Sequence, residues 1–451
     1  MSPGVLTGAA PLEFPPPPLA PADAAPPRAA RPLERLDQAI AAARDALIGL
    51  QAPNGHWVFE LEADCTIPAE YILMMHYLDE IEPELERKLA VYLRAQQAAH
   101  GGWPLYFGGA LDLSCTVKVY YALKLAGDDP DAPHMQRARE AILARGGAAH
   151  VNVFTRIALA LFGEVPWRAV PYIPVEIMLM PKWFSFHIDK VSYWSRTVMV
   201  PLFVLCTFKP MARNPRKVHV RELFTKPPEE EHHYFRLPRK GRLLARIFFA
   251  IDRAARCIDP VIPAAMRKAA TRRAENWVLE RLNGEDGLGA IFPAMVNALE
   301  MMVLLGYPAD DPRRVTAKRA IEKLLVVQAD RAYCQPCLSP VWDTGLAGHA
   351  VAEADSAASP AVARASDWLR GKQVLDVVGD WARARPDAPP GGRETRNRSP
   401  YPAGGPMRFP ARGQAKARSL DGRCARGTST VAIPDTIAAP ASTVNAVPSL
   451  A

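Results

Sequence analysis

The chain has 451 residues, 49% of them hydrophobic and 23% charged; this is enough apolar material for one or two sizeable cores and excludes a wholly disordered chain. The formal charge is +8, but residues 393–451 alone carry eight Arg and one Lys against three acids, leaving +2 for the rest. No basic stripe is interleaved with aromatic residues, which excludes a nucleic-acid partner, and the seven scattered cysteines fit a reducing compartment better than a disulfide framework.

Residues 1–32 hold ten prolines, Pro15 to Pro18 among them, without the basic start and unbroken apolar stretch of a signal peptide; a disordered arm is expected. Leu36, Ile40, Ala43, Leu47 and Leu50 then recur at steps of four and three, one face of a helix. Gln51, Gly55 and Trp57 end that helix, and the same Gln-x3-Gly-x-Trp spacing returns 46 residues later as Gln97, Gly101 and Trp103. Gln373, Gly379 and Trp381 form a looser third copy. At a helix end the glutamine amide can bond free backbone groups, the glycine permits a positive φ, and the indole covers apolar surface while its N–H seeks an acceptor. The unit reads as a clamp between helices, structural in role.

From Arg31 to Gly392 helical patterns follow one another, broken by clusters such as Gly127-Asp128-Asp129-Pro130 and Gly306-Tyr307-Pro308. Helix pairs repeating near 46 residues predict an all-α fold, an α/α toroid or solenoid. The run Thr197 to Phe208 is strongly apolar but contains Pro201 and falls short of the roughly 20 residues needed to span a bilayer. Between Lys209 and Arg273 the pattern loosens, with Pro227-Pro228 and Glu229 to Glu231, and an insertion on the outside is expected. Within it Leu243, Leu244, Ile247, Phe248 and Ile251 form an apolar stripe, with Arg242, Arg246, Arg253 and Arg256 on other faces. Such a helix lies either in a membrane interface or on the body with solvated arginines.

Cys334-x2-Cys337 lacks a second Cys or His pair and reads as packed thiols rather than a zinc site. His232-His233 reads as solvated surface. Asp128-Asp129-Pro130-Asp131 reads as a helix-linking turn rather than a magnesium site, so no metal is expected.

Longer motifs carry a family resemblance. Pro181-Lys182-Trp183-Phe184, Val191-Ser192-Tyr193-Trp194-Ser195-Arg196, Asn276-Trp277-Val278-Leu279-Glu280-Arg281 and Leu338-Ser339-Pro340-Val341-Trp342-Asp343-Thr344-Gly345 resemble bacterial squalene–hopene cyclases, whose QW repeat is the clamp. The likeness runs from about Leu33 to Gly392. It implies two α/α barrels around a central cavity, with residues 33–61 packing on the C-terminal barrel, 62–335 building the inserted barrel, and 336–392 starting the C-terminal one. It also implies peripheral, monotopic attachment to the cytoplasmic side of the inner membrane and, in the family, a homodimer.

The family's chemistry is a step of hopanoid (triterpenoid) biosynthesis and needs no cofactor. A carboxylic acid protonates a terminal alkene of squalene, and the polyene closes through carbocations that aromatic faces stabilise. By resemblance Trp167, Ile291, Pro293 and Trp342 match cavity or channel positions. Asp343 lies in the same motif near the family's acid but is not assigned the protonation. Phe292 departs from a glutamine found in some members, and Leu282-Asn283-Gly284-Glu285-Asp286-Gly287-Leu288-Gly289 is a degenerate clamp with neither Gln nor Trp.

The protonating acid of the family belongs to an Asp-x-Asp-Asp motif that follows the stretch ending at Gly392. No Asp-x-Asp-Asp occurs in these 451 residues; the chain reads Arg393-Glu394-Thr395-Arg396-Asn397-Arg398 instead. Residues 393–451 have the composition of a disordered tail foreign to the family, with a frameshift as the expected origin. The second barrel is therefore expected to be incomplete and no catalytic residue is assigned. Three readings follow: a triterpene cyclase by family, inactive alone; a non-catalytic helical fragment that binds membrane or an intact cyclase; and another polyprenyl-processing α/α-barrel enzyme with a relocated acid. The ligand in the first and third is squalene or a related polyprenoid lipid.

Overall fold

The computed structural model describes residues 32–184, 187–235, 242–282, 284–355, 359–374 and 392–393. The proline-rich arm up to Arg31, Gly379 and Trp381 of the third clamp copy, and the tail beyond Arg393 lie outside the described residues.

Helices dominate: α1 (Pro32–Gly49), α2 (Thr66–Leu78), α3 (Pro83–Ala95), α4 (Leu113–Leu125), α5 (Pro133–Leu143), α6 (Val153–Leu161), α7 (Tyr193–Phe208), α8 (Arg242–Ile258), α9 (Ala264–Leu279), α10 (Phe292–Leu304), α11 (Pro312–Glu322), α12 (Pro340–Ala354) and α13 (Pro360–Gly371). Two short antiparallel ladders accompany them. One pairs β1 (Leu325–Val327) with β2 (Ala332–Cys334), and the other pairs β3 (Gln373–Val374) with β4 (Gly392–Arg393).

The helix starts follow from the sequence. Asp112 and Asn152 accept from the backbone N–H of Cys115 and Thr155 at 2.7 and 2.9 Å, and proline opens α3, α5, α11, α12 and α13, where its missing N–H costs nothing. Inner and outer helices then alternate. Along α2 every residue from Ile67 to Leu78 except Glu70 is buried, and α4 is buried almost throughout; such helices sit inside. By contrast α3 buries Leu89, Ala90 and Leu93, α5 Met135, Ala138 and Ile142, and α11 Ala317, Ala320 and Ile321, one stripe each. This alternation makes the chain an all-α, α/α toroid.

The two complete clamps match atom for atom. Gln97 Nε2 donates to Gly101 O and His134 O, both at 2.8 Å, and Trp103 Nε1 donates to Leu93 O at 2.8 Å. Gln51 Nε2 donates to Gly55 O and Ala361 O, both at 2.9 Å, and Trp57 Nε1 donates to Leu47 O at 2.7 Å. The tryptophan backbone N–H in each case donates to a threonine Oγ1, Thr116 at 3.1 Å and Thr344 at 2.9 Å. Each glutamine Oε1 accepts from an arginine of the outer helix, Arg137 or Arg364. Both indoles are wholly buried.

Gly101 has φ +86°, and a Cβ there would lie 2.8 Å from Arg137 O. Trp103→Ala should therefore cost about 3–5 kcal/mol and Gly101→Ala about 1–3 kcal/mol, measured as urea-unfolding midpoints. Midpoints equal to that of the parent would mean that the clamp does not secure the helices.

The stretch after α7 departs from expectation. Residues 209–235 are no outer insertion but a strap sewn into the main core, with Val220 and Leu223 fully buried and Tyr234 nearly so. The backbone N–H groups of Ala212, Arg213 and Asn214 donate to Leu161 O, Tyr77 O and His76 O at 2.7, 3.2 and 3.1 Å. Arg216 reaches Leu125 O at 2.5 Å and holds the Glu86 carboxylate. These acceptors include the last carbonyls of α2, α4 and α6, which lack intrahelical donors. The strap looks loose in sequence because its partners are helix ends far away in the chain.

Candidate functional site

The N-terminus of α10 meets the segment leading into α12. Ile291 bridges Cys337 and is partly buried. Pro293 follows in the first turn of α10, also partly buried, and between them Phe292 donates its N–H to Pro336 O at 2.9 Å. The Phe292 ring is fully buried, stacked on Tyr71 with centroids 6.2 Å apart. Phenylalanine at this place therefore fills core. Just before the degenerate clamp, Arg281, wholly buried, lies with its guanidinium carbon 4.1 Å from the Trp277 ring centroid and donates to Trp277 O at 2.9 Å.

Trp342 stands in the first turn of α12 with 46% of its surface exposed, and Leu346, one turn on, is 64% exposed. Asp343 beside it accepts the Phe59 N–H at 2.9 Å through Oδ2, which ties the chain after the first clamp to α12. The structure thus brings Ile291, Pro293, Trp342 and Asp343 to adjoining segments. Trp167 sits in a short turn, Trp167–Ala169, partly buried against the main core; no hydrogen bond or ring contact among the described residues joins it to the other four.

Sequence reasoning missed a cluster of ionisable groups inside the toroid. Glu300 lies mid-helix in α10, 6% exposed, and its carboxyl hydrogen-bonds no described residue. Burial, and secondarily the charge of Glu70, pushes it up to about 8, so it is protonated at neutral pH. Glu70 itself is held by the buried Lys118 ammonium at 2.8 Å. A single ionisable residue in the run Phe292-Pro293-Ala294-Met295-Val296-Asn297-Ala298-Leu299-Glu300-Met301-Met302, apolar but for Asn297, was the available signal.

The other candidate clusters serve the fold. Asp128 is bound by Arg94 at 2.5 Å and His134 at 2.6 Å in the α4–α5 turn. Burial raises the Cys334 thiol well above its ordinary value and pushes Cys115 up to about 12, which keeps both as inert thiols. His232 and His233 are exposed.

Two family models match the chain: the squalene-hopene cyclase N-terminal domain over residues 40–330 and the squalene-hopene cyclase C-terminal domain over 338–402. The second match extends ten residues beyond Gly392. The squalene–hopene cyclase of Bradyrhizobium diazoefficiens is 53% identical over 361 residues, covering 80% of this chain and 55% of that protein. That of Zymomonas mobilis is 53% identical, covering 80% and 56%, and that of Alicyclobacillus acidocaldarius 35% identical, covering 79% and 55%. The chain spans about half the length of the curated relatives it matches.

Proposed function

The chain belongs to the squalene-hopene cyclase family, and from that membership we propose that it binds squalene or a related polyprenoid without cyclising it alone. The observation that carries the reading is the pair of family matches from residue 40 to residue 402 in a sequence that contains no Asp-x-Asp-Asp. Residues 62–335 form the inserted barrel in this proposal. Residues 33–61 and 336–392 open the second, an assignment supported by the bonds from Gln51, Trp57 and Phe59 to Ala361, Thr344 and Asp343. Ile291, Pro293, Trp167 and Trp342 line the polyene site, whose ligand needs apolar walls and aromatic faces and no cofactor.

Attachment to the cytoplasmic face of the inner membrane belongs to the same proposal. It is supported by the exposed apolar residues of α8 and by the character of the ligand, which resides in lipid. No described helix is long and apolar enough to cross a bilayer, so the contact is peripheral. Homodimerisation is the family's habit and is proposed on membership alone.

The test is retention of tritiated squalene, presented in detergent, by the immobilised chain. Retention should be saturable and weakened severalfold in Ile291→Arg, which sets a charge on an apolar wall. Retention no greater than on an unrelated protein of equal size would overturn the reading.

A further inference from the structure

We propose that His219 is a phosphoryl-acceptor site: its Nε2, presented at a surface groove by the buried Glu164 carboxylate, takes a phosphoryl group from a small phosphoramidate. The site is separate from the polyprenoid reading and does not depend on it.

His219 belongs to the strap of residues 209–235, and 56% of its side chain is exposed. Behind it stands Glu164, just past the end of α6, with none of its surface exposed. Glu164 Oε1 lies 2.7 Å from His219 Nδ1, and Oε2 accepts the Val220 N–H at 3.0 Å. The Tyr121 hydroxyl lies 3.3 Å from Oε1 and 3.1 Å from Val218 O. No lysine or arginine among the described residues pairs with this carboxylate.

A carboxylate only accepts, so Nδ1 carries the hydrogen of the pair and the neutral ring keeps its lone pair on Nε2. Nε2 has no hydrogen-bond partner among the described residues. A carboxylate on one ring nitrogen fixes the imidazole and makes the other nitrogen a better donor of electrons, whether to a metal ion or to an electrophile. A metal ion needs further ligands at hand, and no group of three or more such residues occurs among the described residues.

The groove that His219 lines, about 610 Å³ in volume, lies between the strap and the α4–α5 turn. Its three acids are engaged: Asp128 by Arg94 and His134, Glu222 by Lys124 and the Tyr120 hydroxyl, and Asp129 by the Asp131 N–H at 2.9 Å. Of its other cations, Arg221 pairs with Glu229, whereas Lys217 is exposed and has no acidic partner among the described residues. A nitrogen lone pair in one groove with an uncommitted ammonium suits an electrophile that carries negative oxygens, as a phosphoryl group does. An acyl donor would use the nitrogen and leave the ammonium idle.

In the transfer the Nε2 lone pair forms a bond to phosphorus while the P–N bond of zwitterionic phosphoramidate breaks, and ammonia leaves as a neutral molecule. The Nδ1 hydrogen stays on the ring, whose new positive charge is offset by Glu164, and the phosphoryl oxygens gain Lys217 as a counter-charge.

Peptide mass spectrometry of the full chain after exposure to phosphoramidate at neutral pH tests this. His219 should be labelled at least about 10-fold faster than His232, an exposed histidine of the same strap with no carboxylate partner among the described residues. Glu164→Gln should slow labelling of His219 by roughly 10-fold and leave His232 unchanged. Lys217→Ala, at an exposed position, should slow phosphorylation of His219 by about 3-fold and leave its reaction with diethyl pyrocarbonate, an uncharged acyl donor, at the parent rate. Equal labelling of His219 and His232 in the parent overturns the site, whether or not Glu164→Gln folds. Preferential labelling of His219 that Lys217→Ala does not slow overturns the phosphoryl assignment.

Discussion

Squalene incubated with the purified 451-residue chain should return unchanged, with no pentacyclic product above a no-protein control by gas chromatography. Protonating an isolated alkene requires a strong acid that still holds its proton at rest. Two carboxyls, Asp343 and Glu300, bear on that requirement. Asp343 is engaged by the Phe59 N–H, a structural tie between the chain after the first clamp and α12. Glu300 keeps its proton, but mainly because burial, with the Glu70 charge second, makes the proton hard to lose, pushing the group up to about 8 from an ordinary 4.5. The same burial that keeps Glu300 neutral weakens it as a donor by about 5 kcal/mol. Glu300 therefore does not support a relocated acid. Hopene above background would refute the expectation, and retention of that activity in Glu300→Gln would then move the search to other carboxyls.

Glu300 sets the second large effect, on stability against pH. Its folded value lies above its unfolded one, so the folded chain holds a proton that the unfolded chain sheds between pH 4.5 and about 8. Stability from this group is therefore complete below about pH 4.5 and falls as pH rises through about 8, by about 5 kcal/mol in all. Glu300→Gln keeps the shape and removes the titration. Compared with the parent by urea unfolding, it should differ by no more than about 1 kcal/mol at pH 5 and be more stable by roughly 3 kcal/mol at pH 8. Other carboxylates act equally in both proteins, so the difference isolates this one. Parallel curves for parent and variant would show that Glu300 is ionised in the fold.

Much of the architecture was legible because it depends on neighbours in sequence. The Gln-x3-Gly-x-Trp spacing implied a capped helix end, a positive φ and an indole seeking an acceptor. Gly55 and Gly101 have φ +97° and +86°, and both indoles donate to the carbonyl ten residues before them. The stripe on α8 was also readable from its period.

The partners across the fold were not. Trp103 finds Thr116 on the next helix, thirteen residues on, whereas Trp57 finds Thr344 287 residues away. Nothing in the local spacing distinguishes the two clamps. The strap of residues 209–235 was misplaced for the same reason, since its polar, proline-rich text resembles an exposed loop until the free carbonyls of α2, α4 and α6 are placed beside it.

By itself, then, the sequence determined the family, the succession of helices, the clamp chemistry and the absence of an Asp-x-Asp-Asp, all of which are local patterns that survive without coordinates. Tertiary structure alone decided that the first clamp closes on α12 and α13, that the strap seals three helix ends, and that Glu300 is a neutral acid. The physical reason is the same in each case. A hydrogen bond or a buried charge takes its energy from what stands opposite it, and in a toroid that neighbour is set by closure of the ring rather than by distance along the chain.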